Sequence, residues 1–329
     1  MNKRFKIILL VLVLALAGYA IATVIHKNRQ PVYQGRNVDQ WLEEVFTTNR
    51  SAAFQAFREM GTNALPDLAR NLVRKETVED RFYAWGYFHL PLKWQRPAWK
   101  PFPIRERWGA AMAVLTELLD PRPIFPQLME MIADKNNGAR DYVIGVVLAT
   151  PAPIDVKYVP LFEEMLVDTN VSTRESAPGL LEHVGTNAAS AIPDLNRALQ
   201  DPDLGVRISS ARALWQIARL TNGIPALHAG LNAAPLSNGL DLGMMSAVYL
   251  HEIDKNDPAP IPVFTNAIFA VRFWGNVAVR SLGDFGPAAK SAVPMLKIVI
   301  ERNMGEKSRE ALISLKKIDP EAAAKYDKR

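Results

Sequence analysis

The amino-acid sequence predicts an all-α fold, an α–α superhelix wound as a solenoid behind an N-terminal transmembrane helix. Three observations predict it. Self-similar segments recur along the body of the chain, apolar residues fall at helical spacing between them, and residues 7–25 form an unbroken apolar run.

Composition sets the frame. The chain has 329 residues, 49 % of them apolar and 22 % charged, which is a globular composition with ample length for a large core. Cysteine is absent, so disulfides, a thiol nucleophile, Cys-based zinc or iron–sulfur sites and a lipidated Cys anchor are all excluded. The net charge of +5 suggests nucleic acid until it is located. Lys3, Arg4, Lys6, Lys27 and Arg29 account for it, with no acid among residues 1–29; the rest of the chain carries 39 − 5 = 34 bases against 34 acids. A phosphate-binding domain would carry the excess in its folded body, so no nucleic-acid partner is expected.

The apolar run IILLVLVLALAGYAIATVI spans residues 7–25 without a charge. As a helix it would reach about 28 Å, close to a bilayer's hydrocarbon core of roughly 30 Å. It therefore reads as an uncleaved signal anchor over residues 1–29. The alternative is a signal peptide cleaved near Ala15-Leu16-Ala17 or Ala20-Ile21-Ala22, which would release a secreted body. The slight excess of bases before the run puts the N-terminus in the cytoplasm and the body outside, as a single-pass membrane protein.

Residues 30–37 read as a linker, and the repeats begin beyond it. Segments starting at Gly61, Gly185 and Gly283 resemble one another, each read as a turn opening a helix, with Thr, Asn or Asp in capping position and a proline near the helix start. A second pattern is stricter. Pro126, Asp134 and Arg140, then Pro160, Asp168 and Arg174, then Pro193, Asp201 and Arg207 keep one spacing, with eight residues from Pro to Asp and six more to Arg. Ile192, Leu195, Ala198 and Leu199 make an apolar stripe, as do Ile208, Ala211, Leu214, Trp215 and Ala218. Asp201-Pro202 breaks the chain between these two helices.

With these offsets the chain resembles the HEAT-repeat family, armadillo-like in class, most closely over Asp201–Ile217, and in layout it is similar to membrane-anchored or exported bacterial HEAT-repeat proteins. The resemblance implies a solenoid over residues 38–329, a proline that bends the first helix of each unit, and a structural ladder in which Asp and Arg form polar contacts in the interior between stacked units. It fades over residues 221–275, where Pro225 and Pro262 mark units without the Asp and Arg, and in the last unit, where Pro294 is followed by Arg302 and Arg309.

Residues 81–108 interrupt the period. They hold four of the seven tryptophans (Trp85, Trp94, Trp99 and Trp108), four prolines and six bases. Three readings stand: a proline-rich loop folded back over the repeats, a partner-docking insertion at about residues 82–106, or a membrane-surface contact. The candidate partner-binding residues are Trp85, Tyr87, Trp94, Arg96, Trp99 and Lys100.

Catalytic patterns are weak. The chain has no Gly-x-Ser-x-Gly, P-loop or Gly-x-Gly-x-x-Gly. A HEAT-like di-iron hydroxylase family uses several His-Glu pairs, whereas this chain has His251-Glu252 and a reversed Glu182-His183. Such residues read as ordinary helix histidines, and no catalytic, metal or cofactor-binding residue is assigned. HEAT-like repeats also occur in a DNA glycosylase and in bilin lyases, but nothing in the sequence specifies either ligand. The resulting expectation is a membrane-tethered scaffold that binds a protein partner without catalysis or cofactor. The alternative is a HEAT-like enzyme or lyase with an active site on the concave face that one sequence does not reveal.

Overall fold

The structure, a computed structural model, describes residues 31–95, 100–151, 153–233, 241–270 and 273–326. Contacts divide the chain into two compact units, Met1–Ala152 and Pro153–Arg329.

The first unit opens on a hairpin, β1 (Val32–Tyr33) and β2 (Arg36–Asn37), antiparallel with Val32 opposite Asn37. The segment expected as a linker is thus a tight turn. Gln34 and Gly35 both take positive φ, the geometry that closes a two-residue hairpin loop. Asn37 then caps α1 (Val38–Leu42) in a reciprocal box with Gln40, both bonds 3.0 Å, and Trp41 donates its indole N–H to the Tyr33 carbonyl at 3.1 Å. Next come α2 (Arg50–Met60), α3 (Leu65–Val73), α4 (Val78–His89), α5 (Ile104–Glu117), α6 (Phe125–Ala133) and α7 (Arg140–Ala149).

The second unit is a run of helix pairs: α8 (Val159–Met165) with α9 (Val171–Val184), α10 (Ile192–Ala198) with α11 (Leu204–Ala218), α12 (Ile224–Gly230) with α13 (Leu242–Ile253), α14 (Ile261–Ala267) with α15 (Phe273–Asp284), and α16 (Val293–Glu301) with α17 (Glu306–Ile318). The short α18 (Pro320–Ala324) follows. The chain is therefore an all-α helical-repeat protein, and residues 221–275, where the sequence pattern fades, hold one complete pair, the first helix of the next and the start of its second.

One chemical rule positions the first helix of each pair. Pro66, Pro126, Pro160, Pro193, Pro225, Pro262 and Pro294 all occupy the first turn of their helices. There the missing N–H has no intrahelical acceptor to lose and the fixed φ suits the start. These prolines start the helices rather than bending them, which departs from the family expectation. Several of these helices continue directly from a 3-10 turn, as at Gly61–Ala64, Gly185–Ala191 and Gly286–Ala292. Gly61, Gly185 and Gly286 carry the positive φ that ends the previous helix. The expected capping role of Thr62, Asn63, Thr186 and Asn187 is not found, because those residues lie inside the 3-10 turns. Gly283 is not a turn residue either. It lies in α15, where an added Cβ would stand 3.0 Å from Ser314 Cα and 2.6 Å from its hydroxyl. The turn glycine of that repeat is Gly286.

Three of the second helices, α9, α11 and α13, are capped by side chains. Asn170 accepts from the Ser172 amide at 2.9 Å, Asp203 from Val206 at 3.1 Å and Asp241 from Met244 at 2.9 Å. The stripes between caps meet in continuous cores. Phe264, Leu282, Leu296 and Leu315 share one cluster, and Ile208, Ala211, Leu227 and Leu250 another. Burying one such Phe or Leu contributes about 1.5–3 kcal/mol. Packing is tight enough that an added Cβ on Gly223 would fall 2.6 Å from the Ala211 backbone.

Among the described residues no helix is long and apolar enough to cross a membrane. This corrects the localisation expected above, a single-pass membrane protein with its body outside. The apolar run at residues 7–25, on which that expectation rested, lies outside the described residues.

Candidate partner-docking surface

The aromatic segment begins as a helix rather than a loop. Thr77 caps α4 in a reciprocal box with Asp80, both bonds 3.0 Å. The Asp80 carboxyl lies below its ordinary range: its modest burial pushes it up, but the Thr77 amide and hydroxyl and the Arg74 charge outweigh that. The helix is amphipathic in an inverted sense, because of its twelve residues Tyr87 alone is buried. Phe82 is 71 % exposed, Val78 72 % and Trp85 58 %, with Tyr83 and Phe88 also exposed. Beyond α4, Pro91 stops the helix, and a 3-10 turn over Leu92–Trp94 adds Leu92 at 86 % and Trp94 at 58 % exposure. A groove of about 550 Å³ runs along α4 between Val78, Phe82, Gly86 and Leu90 on one row and Glu79, Tyr83 and Tyr87 on the next.

Contacts within the helix hold the aromatics in place. Trp85 packs on Phe82 at 6.0 Å between centroids and on His89 at 4.4 Å, and His89 Nδ1 lies 2.7 Å from the Trp85 carbonyl. Gln95 donates to the Leu90 carbonyl at 2.8 Å, tying the turn to the helix end.

Of the six candidate residues, Trp85 and Trp94 are exposed on this surface, and Tyr87 lies beneath it as its one buried anchor. Lys100 stands on the other side of α4, at a polar pocket of about 310 Å³ lined also by Arg74, Asp80, Tyr83, Phe102 and Arg107. Arg96 and Trp99 lie outside the described residues. Arg107 is the buried floor of this pocket. It donates to Asn71 Oδ1 at 3.0 Å, stands 3.6 Å from Asp39 and 3.8 Å from Glu43, and lies over the Phe102 ring at 4.9 Å.

The Asp and Arg residues of the repeat occupy the turn between paired helices. Asp134, Asp168 and Asp201 each accept from the amide two residues on, at 2.8–2.9 Å. Arg140 donates to the Ile132 carbonyl at 2.6 Å, and Arg207 to the carbonyls of Asp201 at 2.6 Å and Pro202 at 3.0 Å. Arg174 grips the Asp201 carboxylate with two bonds, 2.8 and 3.2 Å, across 27 residues. Asp201's side-chain partner is therefore the Arg of the preceding unit, while Arg207 of its own unit holds its backbone. Burial alone would raise the Asp201 carboxyl, but the Arg174 bonds, the Asp203 amide and the charges of Arg174 and Arg207 bring it below its ordinary value.

A second polar row went unread in the sequence. Glu182 on α9, Arg212 on α11 and Glu252 on α13 form an acid–base–acid line, with the Tyr249 ring 4.9 Å from the Arg212 guanidinium. Burial pushes the Glu182 carboxyl up to about 7, against the pull of Arg212 and with the help of Glu252. The two His-Glu pairs meet only through their glutamates, across Arg212, and the histidines do not join them. His251 lies against Phe285 at 4.4 Å and near Phe264, and burial lowers it, while His183 Nδ1 faces the Gly179 carbonyl at 2.8 Å. Among the described residues no three His, Cys, Asp or Glu side chains gather as metal ligands would.

No protein-family model and no curated protein matches the chain. Among solved structures it is similar to the complex of CpcE and CpcF of phycocyanin lyase from Nostoc sp. PCC7120. The identity is 16 % over 88 % of this chain and 97 % of that one, with a TM-score of 0.44. An engineered protein is similar at 14 % identity, over 85 % of this chain and 88 % of its own, with a TM-score of 0.41. At these values the likeness carries no statement about activity.

Proposed function

We propose that the chain is a helical-repeat binding protein that docks a protein partner on the exposed face of α4 and the turn after it, and catalyses nothing. One observation carries this reading: a well-capped helix in a fold built to cover apolar stripes leaves its own Val78, Phe82 and Trp85 uncovered, with Leu92 exposed in the turn after it. Contiguous exposed apolar surface of this kind marks interaction sites, and Trp and Tyr supply much of the energy where they are buried on binding. Tyr87 anchors the surface from beneath. Trp85 and Trp94 are contact residues, and Arg96, Trp99 and Lys100 complete the docking segment.

The test compares affinity capture by the native chain and by the variant Phe82→Asp with Trp85→Ala. A polypeptide retained by the native chain and lost from the variant is the expected result. Identical capture profiles would remove the reading.

A second reading, a lyase or other enzyme, has one observation behind it. Glu182, with its carboxyl near 7 beside Arg212 and Tyr249, is poised to exchange a proton at neutral pH. It requires that Glu182→Gln abolish a turnover that Phe82→Asp leaves intact.

A further inference from the structure

We infer that the polar pocket floored by Arg107 binds a free α-amino acid with an aromatic side chain. The pocket lies on the other side of α4 from the docking surface proposed above, and the inference does not depend on that role.

Arg107 calls for an anion. Its side chain is 8 % exposed, so its fork of N–H donors is cut off from bulk water. Among the described residues its one hydrogen bond goes to Asn71 Oδ1, at 3.0 Å. The carboxylates of Asp39 and Glu43 stand at 3.6 and 3.8 Å, beyond hydrogen-bond reach. The Phe102 ring covers one face of the guanidinium, which leaves its edge for an acceptor. Burial and the Arg74 charge push Arg107 below its ordinary pKa, against the pull of Asp39, Glu43 and Asp80. A carboxylate in the pocket would relieve that strain and fill the fork.

Glu43 calls for a cation. Burial raises its carboxyl, against Arg107, and the charges of Asp39 and Glu44 add to the rise. The other charges of the pocket divide in the same way. Arg74 and Asp80 pair at 3.2 Å, and Asp80 also accepts from the Thr77 amide at 3.0 Å. Lys100 and Glu76 line the pocket exposed, with no partner among the described residues. Unmet charge of both signs thus remains, and the formal sum is zero. A plain anion or a plain cation would answer half of it, whereas a zwitterion answers both. An α-amino acid bears its carboxylate and ammonium on one carbon, which suits the 3.8 Å between Arg107 Nη2 and Glu43 Oε1. A polypeptide terminus keeps only one of those charges.

Tyr83, Phe88 and Phe102 supply an aromatic wall for the side chain. The volume of about 310 Å³ is at the low end for small-ligand sites, which start at about 300 Å³.

Isothermal titration calorimetry of the full chain with four probes tests the inference. L-phenylalanine carries both charges and the ring. N-acetyl-L-phenylalanine lacks the cation, 2-phenylethylamine the carboxylate and glycine the ring. L-phenylalanine is expected to bind, and each of the other three at least about tenfold more weakly. Glu43→Gln changes a side chain that is 54 % exposed, so the fold survives, as circular dichroism would check. It is expected to weaken L-phenylalanine about tenfold. No binding of L-phenylalanine, or binding unchanged by Glu43→Gln, would overturn the inference. Equal affinity for N-acetyl-L-phenylalanine would overturn it in favour of a polypeptide C-terminus, and equal affinity for 2-phenylethylamine in favour of a simple amine.

Discussion

Helices α4 and α11 are both capped by a side chain and both rich in apolar residues, and they have opposite fates. Helix α11 buries Val206, Ile208, Ala211, Leu214 and Ile217, and the Asp203 side chain caps its N-terminus. Helix α4 has a better cap, a full reciprocal box, and larger apolar side chains, yet it buries only Tyr87. Local stability and burial are thus separate properties here. The cap sets where α4 begins, but nothing in its own unit claims its stripe. In a fold whose stability comes from shared stripes, an unshared one is a place for something else.

Substitutions of one residue type at a packed site of the repeats and on α4 test this contrast. The largest difference is expected between phenylalanines. Phe264, fully buried, should cost about 3–5 kcal/mol on truncation to Ala, whereas Phe82→Ala should change stability by less than about 0.5 kcal/mol. Chemical denaturation of the two variants reads both. Comparable losses would mean that α4 packs as the other helices do.

Glycines give the next contrast. Gly223→Ala drives a methyl into the Ala211 backbone and should destabilise by about 1–3 kcal/mol. Gly86→Ala meets open space and should be neutral or stabilise by up to about 1 kcal/mol through helix propensity. Thermal melts would show the two moving in opposite directions.

The polar ladder gives a smaller effect. Arg174→Ala removes both bonds to a carboxylate with a tenth of its surface exposed and should cost about 2 kcal/mol. Arg207→Ala loses only bonds to carbonyls and should cost about 1 kcal/mol. The reverse order in urea midpoints would show that the own-unit pair dominates.

A pH dependence follows from Glu182. Its folded-state carboxyl lies near 7, above the ordinary 4.5, so the native state holds the proton more tightly than the unfolded chain. Its contribution to stability is fully present below about 4.5 and is lost as pH rises through 7, by up to about 3 kcal/mol. Glu182→Gln should flatten that segment of the stability–pH curve. A curve parallel to the native one would assign the slope to other groups.

The repeat architecture was legible because its chemistry is periodic. In the units of Pro126, Pro160 and Pro193, the proline that starts the first helix and the Asp and Arg of the following turn recur 34 and 33 residues apart, so sequence spacing alone reveals those pairs. The reading failed where two glycines compete: Gly283 and Gly286 differ by three positions, and only φ separates the helix-packing glycine from the turn glycine. Helix α4 was obscured by its aromatics and by the prolines that follow it, which suggest a loop, although Thr77-Val-Glu-Asp80 is a capping box in plain view. The Glu182–Arg212–Glu252 row was hidden for a different reason. Its members stand 30 and 40 residues apart, because the connection between α12 and α13 is long, so no constant period links them. Which face a partner covers was not legible at all, since exposure is a property of packing rather than of spacing.

A photo-reactive residue placed at Phe82 tests the central claim most directly, with the same residue at Val167 as control. Val167 is an equally exposed apolar position at 74 %, set in a turn rather than on an uncovered stripe. Irradiation in the native cell should give a discrete crosslinked polypeptide from position 82 and none from position 167. Equal adducts from both positions, or none from either, would contradict the assignment of α4 as the docking helix.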